Sequence, residues 1–234
     1  EYVENLCKEY TGTIYYDRLI EGKWKRAEGA IYRAFADNPN KFIREVNPEE
    51  IRSITIGIDF GGNGSGHSFV ATAKLRDGKT AAIMSRKHMK KDFPKGIDAN
   101  KLSELFLQFA EDVLVKYGRA EFVFWDNAET VLGQSIENAC RKRFPFLTVL
   151  PAWKKKINDR INYTVRLMGA GLFCITEDCG TLSKAFQDAV YDSKSQEEER
   201  LDDGSTDIDS LDAFEYTIER DISGIYYNPV KGGI

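Results

Sequence analysis

Histidine and cysteine are scarce in this chain, with two and four copies among 234 residues. The cysteines form no CxxC pair, which disfavours a structural zinc site and favours free thiols in a reducing cytosol. No apolar run approaches the roughly 20 residues that a membrane helix needs, so we expect no membrane partner. The chain begins Glu-Tyr-Val-Glu, without a signal peptide or an initiator methionine, and we expect it to be part of a longer protein.

An excess of positive charge is also absent. There are 33 lysines and arginines against 37 acids, for a net charge of -4. Nucleic-acid binding would therefore have to come from local basic patches, or from cations that acids hold. The hydrophobic content of 42% is enough for a core, and the length favours one large domain or one domain with an appendage.

The most informative stretch is the run from Ile54 to Gly66. Isoleucines alternate with Thr55, Gly57 and Asp59, which predicts a strand that is packed on one side and carries Asp59 on the other face. A loop of closely spaced glycines follows at once. A carboxylate at the end of a strand, beside a loop that lets backbone approach closely, indicates a site for a metal ion or a phosphate.

The rest of the chain predicts a mixed sheet flanked by helices. Apolar patterns predict further strands at residues 68–75, 81–86, 122–125 and 147–150, a short apolar run at 172–175, and helices at 102–114, 130–144, 158–168, 182–190 and 207–220. Residues 193–207 are strongly polar, and we expect an exposed loop or a poorly packed hairpin there. This order of elements is that of an α/β domain, with residues 1–50 as an appendage leading into it.

Acids recur at the ends of the apolar strands. Asp126 directly follows the strand at 122–125, as Asp59 follows the first strand, and neighbouring strand ends converge on a ligand crevice. The last helix could add Asp209 or Asp212, which lie near each other at a spacing of three residues. Carboxylates brought together repel one another unless cations lie between them, so Mg²⁺ or Mn²⁺ is the natural inference. Two such ions about 4 Å apart can hydrolyse a phosphodiester.

Each acid also has an ordinary structural interpretation. Asp59 and Asp126 could be turn residues or helix caps, and Asp209 could be a helix-start acid that interacts with the helix dipole. Asp212 lies to one side of the apolar stripe of its helix, so periodicity alone predicts a solvated residue. Lys154, Lys155 and Lys156 are more simply a solvated run than a phosphate clamp, although their place outside the strands allows phosphate contacts. His67 is more simply a polar loop residue than a ligand.

Several motifs, taken in order, resemble the large terminase subunit of tailed bacteriophages. The segment from Tyr16 to Tyr32 is similar to the segment that closes the packaging ATPase domain of that family. The later motifs are similar to its nuclease domain: Gly57-Ile58-Asp59-Phe60-Gly61, Phe124-Trp125-Asp126 and Asp212-Ala213-Phe214-Glu215-Tyr216. Many relatives carry a histidine where this chain has Asp209, which leaves the ligand count open.

The resemblance implies a ribonuclease-H-like fold with a mixed five-stranded sheet in residues 51–234, preceded by the tail of the ATPase domain and a linker in residues 1–50. It implies an endonuclease that cuts concatemeric double-stranded viral DNA during packaging, in the cytoplasm of the bacterial host, with two Mg²⁺ or Mn²⁺ ions. Asp59, Asp126 and Asp212 would be catalytic and, with Asp209, would bind metal. Lys154, Lys155 and Lys156 would contact DNA, with Lys156 nearest. The expected partners are DNA, the upstream ATPase domain, the small terminase subunit and the portal.

Two other classes of function remain open at this level. A sugar-kinase-like or actin-like phosphotransferase would use the loop after Asp59 to hold a phosphate, but would need a second glycine-rich site for adenosine, and the glycines around Gly169, Gly171 and Gly180 do not form one convincingly. A catalytically silent DNA-binding or assembly module would use the acids only as turn residues. The chain has no Gly-x-x-x-x-Gly-Lys-Ser/Thr loop, so it cannot be the ATP-driven motor alone.

Overall fold

The structure is a computed structural model that describes residues 29–61, 66–94, 96–194 and 199–222, with a few positions before residue 29. Most of the segment from Tyr16 to Trp24 and the glycine-rich loop at 62–65 lie outside the described residues. Six strands form one sheet in the order β5-β4-β1-β2-β3-β6. Their bounds are β1 Ile51–Asp59, β2 His67–Leu75, β3 Thr80–His88, β4 Phe122–Trp125, β5 Thr148–Pro151 and β6 Phe173–Ile175.

The sheet is mixed, as the sequence predicts. Strands β1, β2 and β3 form an antiparallel meander, while β4 pairs parallel to β1 and β5 pairs parallel to β4. The predicted count of five strands is wrong by one, because Phe173–Ile175 pairs parallel to the first residues of β3 and becomes the far edge of the sheet. An apolar run of three residues is too short for its period to be recognised in sequence.

In the part of the chain that the structure describes, six helices pack around the sheet. Their bounds are α1 Arg33–Asp37, α2 Ala99–Tyr117, α3 Thr130–Arg143, α4 Ile157–Gly169, α5 Gly180–Asp188 and α6 Ile208–Ile218, and short 3₁₀ turns adjoin several of them. Among the described residues no helix is both long enough and apolar enough to cross a membrane.

Both faces of β1 are covered, so the prediction of a strand packed on one side is wrong. Ile54, Ile56 and Ile58 lie in a core shared with α2 and α3, and α6 packs on the opposite face. Gly57 is the contact point with α6, since a Cβ atom there would lie 1.8 Å from the carbonyl oxygen of Ala213. Strand β1 can therefore approach α6 closely only with glycine at this position.

The segment before β1 packs on the same body. Tyr32, Phe35 and Phe42 are buried in the core that contains α5 and α6. Ala30 forms an antiparallel bridge with Val190, and a second bridge joins Tyr191 to Arg200. Arg200 is thus held in a short β-ribbon next to the amino-terminal segment. Most of the described residues from 193 to 205 are exposed, in agreement with the exposed loop or poorly packed hairpin expected at 193–207, and the burial of Arg200 is the exception. The division of the chain at residue 50 stays a prediction.

Candidate metal centre

The ends of two parallel strands bring Asp59 and Asp126 to one edge of the sheet. Ile58 and Trp125, the residues just before them, are partners in the β1–β4 ladder, and the backbone N–H of Asp126 donates to the carbonyl of Ile58 at 3.0 Å. Both aspartates are buried, with 7% and 9% of their surface exposed. The convergence expected from the sequence is therefore present in the fold.

Helix α6 brings two more carboxylates to this edge. The side chain of Asp207 caps the helix by accepting a hydrogen bond from the N–H of Ser210, so Asp209 is not the capping residue. Asp209 Oδ2 accepts a hydrogen bond from the N–H of Gly66 at 3.1 Å and forms an ion pair with Lys87 at 2.7 Å. Asp212 also belongs to this group, and its side chain is only 21% exposed. Periodicity alone predicts a solvated Asp212, and the structure shows that this is wrong because two arginines cover the carboxylate.

The negative charges of the other three acids all act on Asp59. Burial raises its pKa well above the ordinary value, and the negative charges of Asp212, Asp209 and Asp126 raise it further. The hydroxyl of Tyr216 donates to Asp59 Oδ1 at 3.2 Å and opposes this effect only in part. Among the residues that the structure describes, no lysine or arginine pairs with Asp59.

The other three carboxylates each have a cation. Lys154 Nζ lies 2.6 Å from Asp126 Oδ1, and Lys87 pairs with Asp209. Arg160 and Arg200 approach Asp212 Oδ1 at 3.0 and 2.6 Å. Although burial acts in the opposite direction, the two arginines hold the pKa of Asp212 below its ordinary value. The site is thus an acid cluster with cations around three of its four members.

The donor set suits a hard divalent cation. Carboxylate oxygens are the ligands that Mg²⁺ and Mn²⁺ prefer, and the repulsion around Asp59 is what such an ion would relieve. As the side chains stand, the described part of the chain contains no group of three histidine, cysteine or acidic side chains with the geometry of a metal site. This agrees with the cation contacts above, since ammonium and guanidinium groups bind carboxylate oxygens that a metal ion would use.

A buried ionic network next to Asp212 is not predicted from the sequence. Glu215 has no exposed surface, and its oxygens lie 2.8 Å from Arg160 and 3.0 Å from Arg200. Tyr32 donates to Glu215 Oε1 at 3.0 Å. One signal was available in the sequence: Glu215 is four residues after Leu211 and adjoins Phe214, so it falls within the apolar stripe of α6 and would need a buried cation. Nothing in the polar sequence around Arg200 identifies that residue as the cation.

The three consecutive lysines have different surroundings. Lys154 contacts Asp126, and Lys155 Nζ lies 5.8 Å from the ring centre of Trp153. Lys156 is exposed and precedes the first residue of α4. The predicted contact of these lysines with DNA, with Lys156 nearest, stays a prediction. His67 begins β2, opposite His88 of β3, and is a strand residue rather than the expected loop residue.

The mixed sheet has an antiparallel meander, β4 and then β5 parallel to β1 on its other side, and Asp59 at the end of β1. This is the arrangement of the ribonuclease-H-like class of α/β domains. In comparison with solved structures, the chain is similar in fold to the nuclease domains of phage large terminases, so the resemblance seen in the sequence is confirmed for the fold. The chain matches no protein-family model and no curated protein in sequence.

Three solved structures illustrate the likeness. One large terminase, from a thermophilic bacteriophage, superposes with a TM-score of 0.74 at 19% identity, covering 97% of this chain and 51% of the phage protein. The nuclease domain of the bacteriophage SPP1 large terminase, solved with bound Mn, gives 0.51 at 15% identity and covers 76% and 92%. The large terminase nuclease of the thermophilic phage G20c, solved with bound magnesium, gives 0.52 at 17% identity and covers 82% and 97%. This chain therefore spans about half the length of the first of these proteins.

Proposed function

We propose that this chain is a divalent-metal-dependent endonuclease that cuts concatemeric double-stranded viral DNA during genome packaging, by hydrolysis of the phosphodiester bond with two Mg²⁺ or Mn²⁺ ions. One observation carries the proposal: carboxylates from β1, β4 and α6 converge around Asp59, and Asp59 pairs with no lysine or arginine in the described part of the chain. The likeness to terminase nucleases solved with Mn and with magnesium supports the same chemistry.

In this proposal Asp59, Asp126 and Asp212 hold the ions, and Asp209 is a further ligand. A bound divalent ion would lower the pKa of the attacking water and offset negative charge on the phosphate oxygens. The chain contributes the arrangement of its own groups. Tyr216 orients the Asp59 carboxylate through its hydroxyl. In this proposal the lysines at 154–156 contact the backbone of DNA.

The proposal is tested by nicking of supercoiled plasmid in Mg²⁺ or Mn²⁺. We expect cutting without sequence preference that EDTA abolishes, and its loss in Asp59→Ala and in Asp126→Ala. Glu104→Gln is the matched control, because Glu104 is an exposed acid of α2 that pairs with Lys101 on the same helix. Circular dichroism of each variant establishes that it is folded.

Equal cutting by the two aspartate variants would overturn the proposal. ATP binding measured by calorimetry, with no metal-dependent cleavage, would favour the phosphotransferase. DNA binding without cleavage and without uptake of divalent ions at millimolar concentration would favour the silent assembly module.

The biological setting is part of the same proposal. We infer that an ATPase domain precedes this chain in the complete protein, with residues 1–50 as its tail and linker and residues 51–234 as the nuclease domain. The small terminase subunit and the portal would be further partners, in the cytoplasm of the bacterial host. The superposition with a phage large terminase covers 51% of that protein.

A further inference from the structure

Lys154 has an unusual backbone conformation. Its φ of 51° is the one positive value at a non-glycine residue among the described residues. Side chains on Cβ disfavour this left-handed region, so a lysine stays there only where its surroundings hold it. Strain of this kind is concentrated at functional sites, and the residue also contacts a member of the acid cluster.

Hydrogen bonds on both sides of Lys154 stabilise that conformation. The buried carboxylate of Glu219 accepts hydrogen bonds from the backbone N–H of Trp153 and of Lys155, the two neighbours of Lys154. Just before them, the N–H of Ala152 donates to the carbonyl of Trp125 at 2.8 Å. The loop is therefore fixed on both sides of Lys154, by the end of β4 and by the residue after α6.

The conformation of the loop directs the Lys154 amine to the Asp126 carboxylate. Lys154 Nζ lies 2.6 Å from Asp126 Oδ1, where the Asp126 side chain is 12% exposed and the Lys154 side chain is 35% exposed. Lys156, two residues along, is exposed, and in the described part of the chain no ion pair joins it to the acid cluster. The two lysines thus differ in geometry although both belong to the same basic run.

We propose that Lys154 is a built-in counter-ion of the acid cluster, which offsets the charge of Asp126 before a divalent ion binds, and that Glu219 is the positioning residue that sets it there. The proposal rests on the proposed function, since it assumes that the cluster takes up a divalent ion. It assigns Lys154 a role in addition to the proposed contact with DNA phosphates.

A counter-ion of the acid cluster and a lysine that only contacts DNA have different physical consequences when they are removed. A positive charge next to Asp126 lowers the repulsion among the four carboxylates in the metal-free protein, and it disfavours a divalent cation at the same oxygens. Removal of the amine should therefore destabilise the metal-free protein and strengthen metal binding. A lysine that acted only on DNA would change neither quantity when it is removed.

The test compares Lys154→Met with Lys156→Met, which remove the same charge from the same loop. The probe is Mn²⁺ alone, titrated into metal-free protein by calorimetry, with Tm recorded with and without Mn²⁺. In Lys154→Met we expect Mn²⁺ binding to be about tenfold tighter, Tm to be lower without metal, and the gain in Tm on saturation with Mn²⁺ to be larger than in the wild type. In Lys156→Met we expect the Mn²⁺ affinity and Tm of the wild type.

Unchanged or weaker Mn²⁺ binding by Lys154→Met would overturn the inference while the proposed endonuclease stands. Absence of Mn²⁺ binding by the wild type would overturn the proposed function and this inference with it. Glu219→Gln tests the positioning role, because the amide keeps the shape of the side chain but can accept at only one of its two groups. Glu219→Gln should also tighten Mn²⁺ binding, but by less than Lys154→Met does. Wild-type affinity in a folded Glu219→Gln would refute the role of Glu219.

Discussion

Substitution of Gly57 by alanine should move Asp212 on α6 away from Asp59 on β1. Gly57 lies two residues before Asp59 on β1, and it faces Ala213, the residue after Asp212 on α6. An alanine Cβ would lie 1.8 Å from the carbonyl oxygen of Ala213 and 3.0 Å from the methyl of Thr217. Since Cβ contacts under 3.0 Å essentially never occur, α6 would have to move away from β1 by more than 1 Å.

The expected effect has two parts. The clash is with backbone and cannot be relieved by rotating a side chain, so we expect a loss of about 3 kcal/mol in the free energy of unfolding, at the upper end of the range for overpacking. The same movement shifts Asp212 relative to Asp59, and a displacement of this size at a catalytic group costs about 100-fold in rate. Both effects follow from one contact between β1 and α6.

Urea denaturation measures the first effect, and metal-dependent plasmid nicking measures the second. Gly180→Ala is the control, because a Cβ at Gly180, the first residue of α5, would meet no atom within 4 Å. That variant should be neutral or slightly more stable, since alanine has the higher helix propensity. Wild-type stability and nicking in Gly57→Ala would refute the close packing of α6 on β1 and the alignment of Asp59 with Asp212 that depends on it.

Three further predictions concern the charges of the cluster and of the buried network beside it. Asp59→Asn should abolish nicking yet raise Tm in the absence of metal at pH 7. Because the fold raises the pKa of Asp59, the cost of this carboxylate to folding is complete above the raised pKa, and it is lost gradually as the pH falls from there to the ordinary pKa of an aspartate. Thermal melts from pH 7 downward should therefore converge, and a wild type more stable than Asp59→Asn at pH 7 would contradict the reasoning. Arg200→Met should cost about 3–5 kcal/mol in urea denaturation, since Asp212 and Glu215 stay buried without one of their cations. Tyr32→Phe should cost about 1–2 kcal/mol, because it removes one of the hydrogen bonds that the buried Glu215 Oε1 accepts and leaves that oxygen with Arg200. A cost below about 1 kcal/mol for Arg200→Met would refute the network.

Burial makes most of the helices and strands predictable from the sequence. The apolar pattern predicts a helix at 130–144 and the structure has Thr130–Arg143, and the helix predicted at 158–168 is Ile157–Gly169. These elements present one apolar face to the core, so their apolar residues recur with a period that can be recognised in the sequence. The packing of α6 on the second face of β1 gives no such period, because the contact at Gly57 depends on the absence of a side chain.

The candidate site is predictable to a smaller extent. The convergence of Asp59 and Asp126 can be predicted, because the local apolar pattern places each of them at the end of a strand and the ends of neighbouring parallel strands lie together. The cations cannot be derived in this way. Arg200 is buried although it belongs to a polar segment, because the bridge between Tyr191 and Arg200 brings it next to α6, and this pairing depends on contacts across the whole fold.

The cations that surround the acid cluster come from four parts of the chain: Lys87 from β3, Lys154 from the loop after β5, Arg160 from α4 and Arg200 from the ribbon before α6. The carboxylates come from β1, β4 and α6, so neither set is complete until the sheet and helices have packed. This arrangement lets a folded domain carry four close acids without metal, because three are offset locally. The remaining repulsion is concentrated on Asp59, where burial prevents water from relieving it. If the cluster takes up divalent ions as proposed, relief of this repulsion favours their binding at Asp59, and the cations at the other three acids oppose it.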